Sequence, residues 1–519
     1  MKRRAFLHSG LCGLATAALP GCARKTVSDG GPAVLRVGAG LDRYNTAEGR
    51  FSFTSSRPNA HVAEPPVRLD EVFAPRPWLF ERWSHRGEGD YVARLRTGVK
   101  FHDGTPLTAD VFAAAAKRFI ATRDFIGLDP ASLRTVDDST VKFRSCSSSG
   151  LMVHNMTHPA ACLFLPSDDV ASQPIGTGPY RFVRYEPRRL MVVERFEQYW
   201  GPLPPNRRVL FRFLADPQAR LMALQAGEVD LISDVVPEML LGLAPDDPTV
   251  TVRKSRPIRY IALACNLRGT PPFDTLRDSR VRRALALSID RDSIAAVMFQ
   301  GHATVARGVL PGWMFGLGDE APRGFGADRR KAADLLEEAG WRLSNDGLRY
   351  KDGKALQLRL VAAYPSASAV KPMPEILERM FREIGVKTEI VEVEDDQLYY
   401  SGYADRGQGD LFLEMGGNIN ADPTFLLYNI FHSNTPWLFY RYVAPGTDVD
   451  TLLDAARRES DPKLVVGFVR EAHRRIIDEH VAAIPILMVP AFVLTRPDVI
   501  LEPFENLDWN DFGAARREA

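Results

Sequence analysis

Residues 91–112 read YVARLRTGVKFHDGTPLTADVF. The stretch opens with an alternating strand, reaches a turn at Asp103–Gly104, and restarts at TPLTAD as a helix. Thr108 is placed to cap that helix by accepting a bond from a free backbone N–H, and Asp110 in the first turn favours the helix dipole. Taken alone this is one strand–turn–helix unit, whose weight depends on how often such units recur along the chain.

They recur downstream. Helical patterns stand out at 107–121, 215–227, 279–299, 327–340, 372–385 and 463–480. In 327–340, Ala332, Leu335, Leu336 and Ala339 recur at helical spacing, and Gly340 sits where a C-cap is wanted. Strand-like runs fall between them: AVLRVGAG, RRVLFRFL, IRYIALACN, LQLRLVAAY, KTEIVEVE, GDLFLEM and IPILMVPAFVLT. Strands alternating with helices indicate α/β architecture, here in two groups of units. The first runs to about residue 258 and the second from about 263 to 483, and the apolar strand near 484–495 returns to the first.

Hydrophobic residues are 45% of the 519 and charged residues 25%, ordinary values for a chain with a large core. The balance of 66 basic against 65 acidic residues leaves no net field for nucleic acid or an anionic membrane. Of five cysteines, Cys146, Cys162 and Cys265 lie beyond the N-terminal segment, and a Cys146–Cys162 disulfide is left open.

The N-terminal MKRRAFLHSGLCGLATAALPGCARK is too short and too rich in small residues for a bilayer span and reads as an export signal. Arg3, Arg4, Phe6 and Leu7 resemble a twin-arginine signal, and Leu19 to Cys22 resemble a lipobox, with Cys22 as the lipidated first residue of the mature chain. Residues 1–21 are then the signal peptide and 22–32 a tether, and the protein works in the periplasm or at the cell surface, held to the membrane by its lipid.

The 91–112 stretch closely resembles the signature of the extracellular solute-binding proteins of the peptide/nickel class, family 5, that feed ABC importers. Further stretches agree in order: PIGTGPYRFVRYEP at 174–187, EQYWGP and LFRFLADPQARLMALQAGEVDL within 197–231, CNLRGTPPFDTLRDSRVRRALALSIDRDSI at 265–294, GADRRKAADLLEEAGW at 326–341, and GDLFLEMGGNINADPTFLL late in the chain. The resemblance implies a two-lobed periplasmic-binding-protein type II fold with an extra subdomain inserted in the first lobe. Lobe 1 is expected over 33–258 with the insert at about 60–172, lobe 2 over 259–483, and the return to lobe 1 over 484–519. Hinge strands are expected near 258–265 and 483–490. It also implies a monomer that traps a solute between the lobes and delivers it to an ABC permease and its ATPase, with no cofactor of its own. In GTGPY, Gly176 and Gly178 are expected to provide turn conformations.

In peptide-binding relatives the loop matching EMGGNINADP carries an acid for the peptide amino terminus, usually after a tryptophan. Here it offers Gly416, Gly417, Asn418 and Asn420, with Glu414 just upstream as a substitute acid and Asp422 as a helix cap. Further ligand candidates are Ser55, Ser56 and Arg57 after the first strand, Arg268, Tyr400, Tyr403 and His432. Nickel relatives hold a chelated complex with aromatics and arginines, which the corresponding positions here lack. His154, His158, Met156 and Cys162 in MVHNMTHPAAC nevertheless form a set of imidazole and sulfur groups, with His154 and His158 as metal candidates and His158 also a ligand contact.

No nucleophile elbow, zinc helix or phosphate loop occurs. The reading is therefore a carrier of a peptide or related polar solute, with a metal chelate carrier or a ligand-presenting receptor as alternatives and a secreted hydrolase last.

Overall fold

The structure, a computed structural model, describes residues 34–40, 61–87, 89–121, 126–146, 150–166, 173–244, 247–318, 322–363, 370–395, 397–435, 438–501 and 512–518. Ser55, Ser56, Arg57 and Cys22 lie outside them. Among the described residues no helix is long and apolar enough to cross a membrane.

The elements that position the site are, in chain order, β1 (Val34–Ala39), β2 (Phe80–His85), β3 (Asp90–Leu95), α1 (Ala109–Ala115), β4 (Leu128–Asp137), β5 (Thr140–Ser145), α2 (Met152–Asn155), β6 (Tyr180–Glu186), β7 (Leu190–Arg195), β8 (Arg208–Phe213) and α3 (Pro217–Gln225). Then come β9 (Leu231–Ile232), β10 (Thr251–Cys265), α4 (Ser279–Ser288), α5 (Arg291–Phe299), α6 (Arg329–Glu338), β11 (Gln357–Ala363), α7 (Met373–Arg382), β12 (Lys387–Val393), β13 (Leu411–Gly417), α8 (Phe425–Phe431), α9 (Thr447–Arg458), α10 (Pro462–Arg474) and β14 (Ala483–Thr495). The main sheet runs β12-β11-β13-β10-β14-β9-β1-β8-β7-β6, and a separate four-stranded sheet runs β2-β3-β5-β4.

Most expected elements are found with frayed ends. The expected helix at 279–299 is two helices, because the Asp290 carboxylate accepts the Ser293 N–H and starts a second one. Thr108 caps α1 by accepting from the Val111 N–H, and the turn before it uses Gly104 at φ +93°.

β10 and β14 are the long strands shared by both groups of units. β10 pairs with β13 over Arg259–Cys265, whereas β14 pairs at its far end with β9, which continues to β1. Between these regions their ladder is irregular, and Pro257 faces Pro490 there. Neither proline has an N–H to give, so ladder bonds are lost at the point where the chain passes from one half of the sheet to the other.

The matched motifs are largely interior joints. His102 accepts the Gly176 N–H at Nδ1 (3.3 Å) and turns Nε2 to the Gly178 carbonyl (3.0 Å), so FHDG and GTGPY grip each other. The chain bends at 177–179, with neither Gly176 nor Gly178 in a left-handed conformation. They are glycines because a Cβ at 176 would stand 2.0 Å from the Val62 carbonyl oxygen and one at 178 would stand 2.5 Å from that of His61.

Fully buried Glu64 accepts from Trp78 Nε1, Tyr199 Oη, Trp200 Nε1 and Thr177 Oγ1 at 2.8 to 3.0 Å, which accounts for the YW of EQYWGP. Buried Arg220 donates to the Leu214, Ala215 and Asp234 carbonyls. Arg282 donates to those of Leu276, Arg277 and His480, and Arg291 to those of Pro485, Ala286 and Ile289. Fixed guanidinium forks satisfy several loop carbonyls at once. Asp230 accepts from Arg36 and from Arg517, which fastens the C-terminal residues beside β1.

Candidate functional site

Along β13 alternate residues face opposite ways, so Leu411 and Leu413 enter one apolar core while Phe412 and Glu414 face another. Glu414 is not a solvated strand-end acid: it is 6% exposed. Tyr399 Oη donates to its Oε1 at 2.8 Å and Tyr440 Oη to its Oε2 at 3.0 Å. Tyr400 stands edge-on to Tyr399 with ring centres 4.9 Å apart, and to Tyr440 at 6.2 Å. Burial, with the Glu414 charge in second place, pushes the phenols of Tyr260 and Tyr399 well above their usual range, and burial and Glu414 raise Tyr440 and Tyr442 in the same way. These phenols therefore stay protonated at any physiological pH, and those of Tyr399 and Tyr440 donate to Glu414.

Tyr260 stands over the glycine pair of this loop. It pairs with Gly416 across β10 and β13, and a Cβ on Gly416 would lie 2.8 Å from the Tyr260 hydroxyl. An aromatic side chain thus reaches over the GG pair from the neighbouring strand.

The loop 418–424 is self-bonded. Asn418 Nδ2 donates to the Asn420 carbonyl (2.8 Å) and the Asp422 carbonyl (3.1 Å), and its Oδ1 accepts the Leu426 N–H. Asp422 Oδ1 accepts both the N–H and the hydroxyl of Thr424, an Asx turn opening α8, and burial raises its carboxyl pKa. Asn420 donates from Nδ2 to Asn155 Oδ1 at 2.8 Å, and the Ala421 N–H donates to Thr157 Oγ1 at 2.8 Å. Asn418 and Asn420 therefore hold protein, the first its own loop and the second the MVHNMTHP segment.

The other candidates scatter. Tyr403 is half-buried against the core that holds Glu414. Arg268 lies beyond the end of β10 and donates to Ser433 Oγ at 2.9 Å. His432 stacks on Tyr428 with ring centres 4.3 Å apart, accepts the Asn434 N–H at Nδ1, and turns Nε2 to Asp454 at 3.4 Å. His158 Nδ1 accepts the Ala160 N–H and caps a short helical turn. His154 is driven by burial down to about 4. Cys162 is a buried free thiol, not half of a bond to Cys146. Among the described residues, the one group of three close metal-ligand side chains is Asp448, Glu479 and His480, which includes neither His154 nor His158.

Sequence reasoning missed Tyr260, Tyr399, Tyr440, Asn155 and Thr157. The crowding of tyrosines in LYYSGY and YRYV was the available signal for two of the three aromatic positions, Tyr399 and Tyr440.

A sequence profile of the bacterial extracellular solute-binding proteins, family 5, middle region, matches residues 74–436. The chain is 28% identical over 386 residues to the glutathione-binding protein GsiB of Pectobacterium atrosepticum, covering 66% of this chain and 69% of that one. It is 25% identical over 463 residues to the nickel-binding periplasmic protein of Escherichia coli K12, covering 84% and 86%. The crystal structure of NikA from Brucella suis with Fe(III)-EDTA superposes with a TM-score of 0.82 at 21% identity, covering 93% of this chain and all (100%) of that one, which establishes the two-lobed α/β fold. With the profile spanning well over half of the residues and the signature motifs accounted for as joints of that fold, this chain belongs to family 5 of the bacterial extracellular solute-binding proteins.

Proposed function

We propose that the protein captures a small polar solute of the peptide class between its lobes and delivers it to the permease of an ABC importer, acting as a carrier without catalysis. The observation that carries this reading is the protonated tyrosine group around Glu414, beside the strands that join the two halves. A buried carboxylate ringed by hydroxyl donors and aromatic faces offers a peptide hydrogen bonds, stacking and a negative charge. Tyr260, Tyr400 and Glu414 are the side chains assigned to that contact, with Tyr403 at its edge; Ser55, Ser56 and Arg57 are further candidates from the sequence. The similarity to a glutathione-binding relative supports a short peptide with unusual termini, in keeping with a loop that lacks the ordinary amine-pairing acid.

The lobes are assigned to 33–258 and 259–483, with 484–519 returning to the first and the insert at about 60–172. The facing prolines Pro257 and Pro490 are assigned as the hinge. Export through a twin-arginine signal and lipidation of Cys22 would keep a monomer beside its permease. A metal chelate is the second reading, favoured by the nickel-binding relative; it would sit on the same tyrosines and needs no ligation by His154 or His158.

Calorimetric titration of ligand-stripped protein with glutathione, a dipeptide and tripeptide panel, and nickel–histidine separates these readings. Binding of peptide at one per chain that Glu414→Gln weakens at least tenfold supports the first. Binding of nickel–histidine alone establishes the second, and binding of neither contradicts both.

A further inference from the structure

The segment 150–157 belongs to one half of the molecule and reaches into the other. Met152, Val153 and Met156 are packed in the core that holds Phe80 and Phe112. Leu151, just before them in sequence, is packed instead with Leu426, Leu427 and Leu453 in the core of the other half. Gly150 lies so close to that half that a Cβ there would be 3.0 Å from the Glu459 carbonyl oxygen. Beside this apolar contact run three polar ones. Asn155 Oδ1 accepts from Asn420, the Asn155 side chain also bonds the Asp422 carboxylate, and Thr157 Oγ1 accepts from the Ala421 N–H. Asn155, Thr157, Asn420 and Asp422 are all buried.

Buried polar groups carried on two bodies are satisfied by each other only while the bodies touch; on separation each must be rehydrated, and Leu151 is exposed to water. We propose that residues 150–157 form a latch that holds the two lobes closed independently of any bound solute. This rests on the reading of the protein as a two-lobed carrier that opens and closes. Its consequence is quantitative: a contact that favours the closed form by itself raises the closed population of the empty protein and thereby the apparent affinity for whatever solute closes it. Each lost bond is expected to shift the closed-to-open ratio by roughly 2- to 10-fold.

The test uses protein stripped of solute by unfolding and refolding, in a Cys146→Ser background, with nitroxide labels at Lys117→Cys and Lys463→Cys. These exposed positions lie on the two halves. Electron–electron distance distributions then report open and closed populations. The unsubstituted latch is expected to show a dominant short distance with a minor long one, and Asn155→Ala to raise the long one several-fold. Thr157→Val, which keeps side-chain volume and removes one bond, is the second variant, and thermal unfolding confirms that each is folded. Two populated distances whose ratio neither variant moves by twofold would overturn the latch while leaving the carrier reading intact, as would a stripped parent protein found fully open. A single short distance in every sample, the two variants included, would overturn both the latch and the closure on which it rests.

Discussion

Glu64 shows how much one side chain decides in this fold. Its two oxygens accept four hydrogen bonds, from Trp78, Tyr199, Trp200 and Thr177, with the carboxylate fully buried. Glu64→Gln replaces one acceptor oxygen by an amide donor that must face an indole N–H or a hydroxyl. Since bonds to a charged group contribute about 1.5–3 kcal/mol each, the variant should lose on the order of 3 kcal/mol in urea unfolding; a loss below about 1 kcal/mol would contradict the assigned role. The buried histidines set an acid limit. Burial holds His102 and His154 at about 4 and His473 at about 3, below the ordinary value of 6.5. Between pH 6.5 and 4 the unfolded chain therefore binds protons that the folded chain does not, so this stability is complete above 6.5 and is lost as pH falls, at up to about 1.4 kcal/mol per group per pH unit. Asp410 acts oppositely: burial raises it to about 7, so it favours the fold as pH falls from 7 towards 4. Urea midpoints should thus be lower at pH 5 than at pH 7, and Asp410→Asn, which removes the opposing group, should steepen that loss. An equal or shallower acid loss in the variant would show that Asp410 has no such shift.

At the scale of elements, the sequence reading located most helices and strands because apolar spacing is a local property. It failed where one residue acts on a distant one. Gly176 resembles a turn glycine in sequence, and only the approach of the Val62 carbonyl shows why it has no side chain. Asn418 and Asn420 were legible as polar loop residues facing a cleft, but their partners, Asp422 and Asn155, are a matter of tertiary packing. Tyr260 was hidden in an apolar strand and gains meaning only from its register with Gly416. Two alanine substitutions separate a glycine required by close approach from one that is not. Gly176→Ala should destabilise by more than about 2 kcal/mol, because backbone rather than a mobile side chain obstructs the methyl group. Gly467→Ala, exposed in α10 with open space around it, should instead stabilise by about 0.5–1 kcal/mol through helix propensity. Opposite signs in thermal unfolding are the expected outcome, and a neutral Gly176→Ala would remove the packing argument for GTGPY.

For the whole molecule, the side chains that join the fold and those proposed for solute contact are different residues. His102, Glu64, Arg220, Arg282 and Arg291 join loops to sheets and build a carrier whatever it carries. The proposed cargo contacts are the few groups near Tyr260 and Glu414, whose meeting depends on tertiary packing, which is why class was legible in the sequence and cargo was not. The central claim is stoichiometric retention of a solute without turnover. Native mass spectrometry of the chain from residue 33 onward, purified without denaturant from a bacterial periplasmic extract, tests it most directly. One solute of peptide mass per protein, released unchanged on unfolding, is the predicted result. Protein that carries no solute, and that acquires none when returned to the extract, would contradict it.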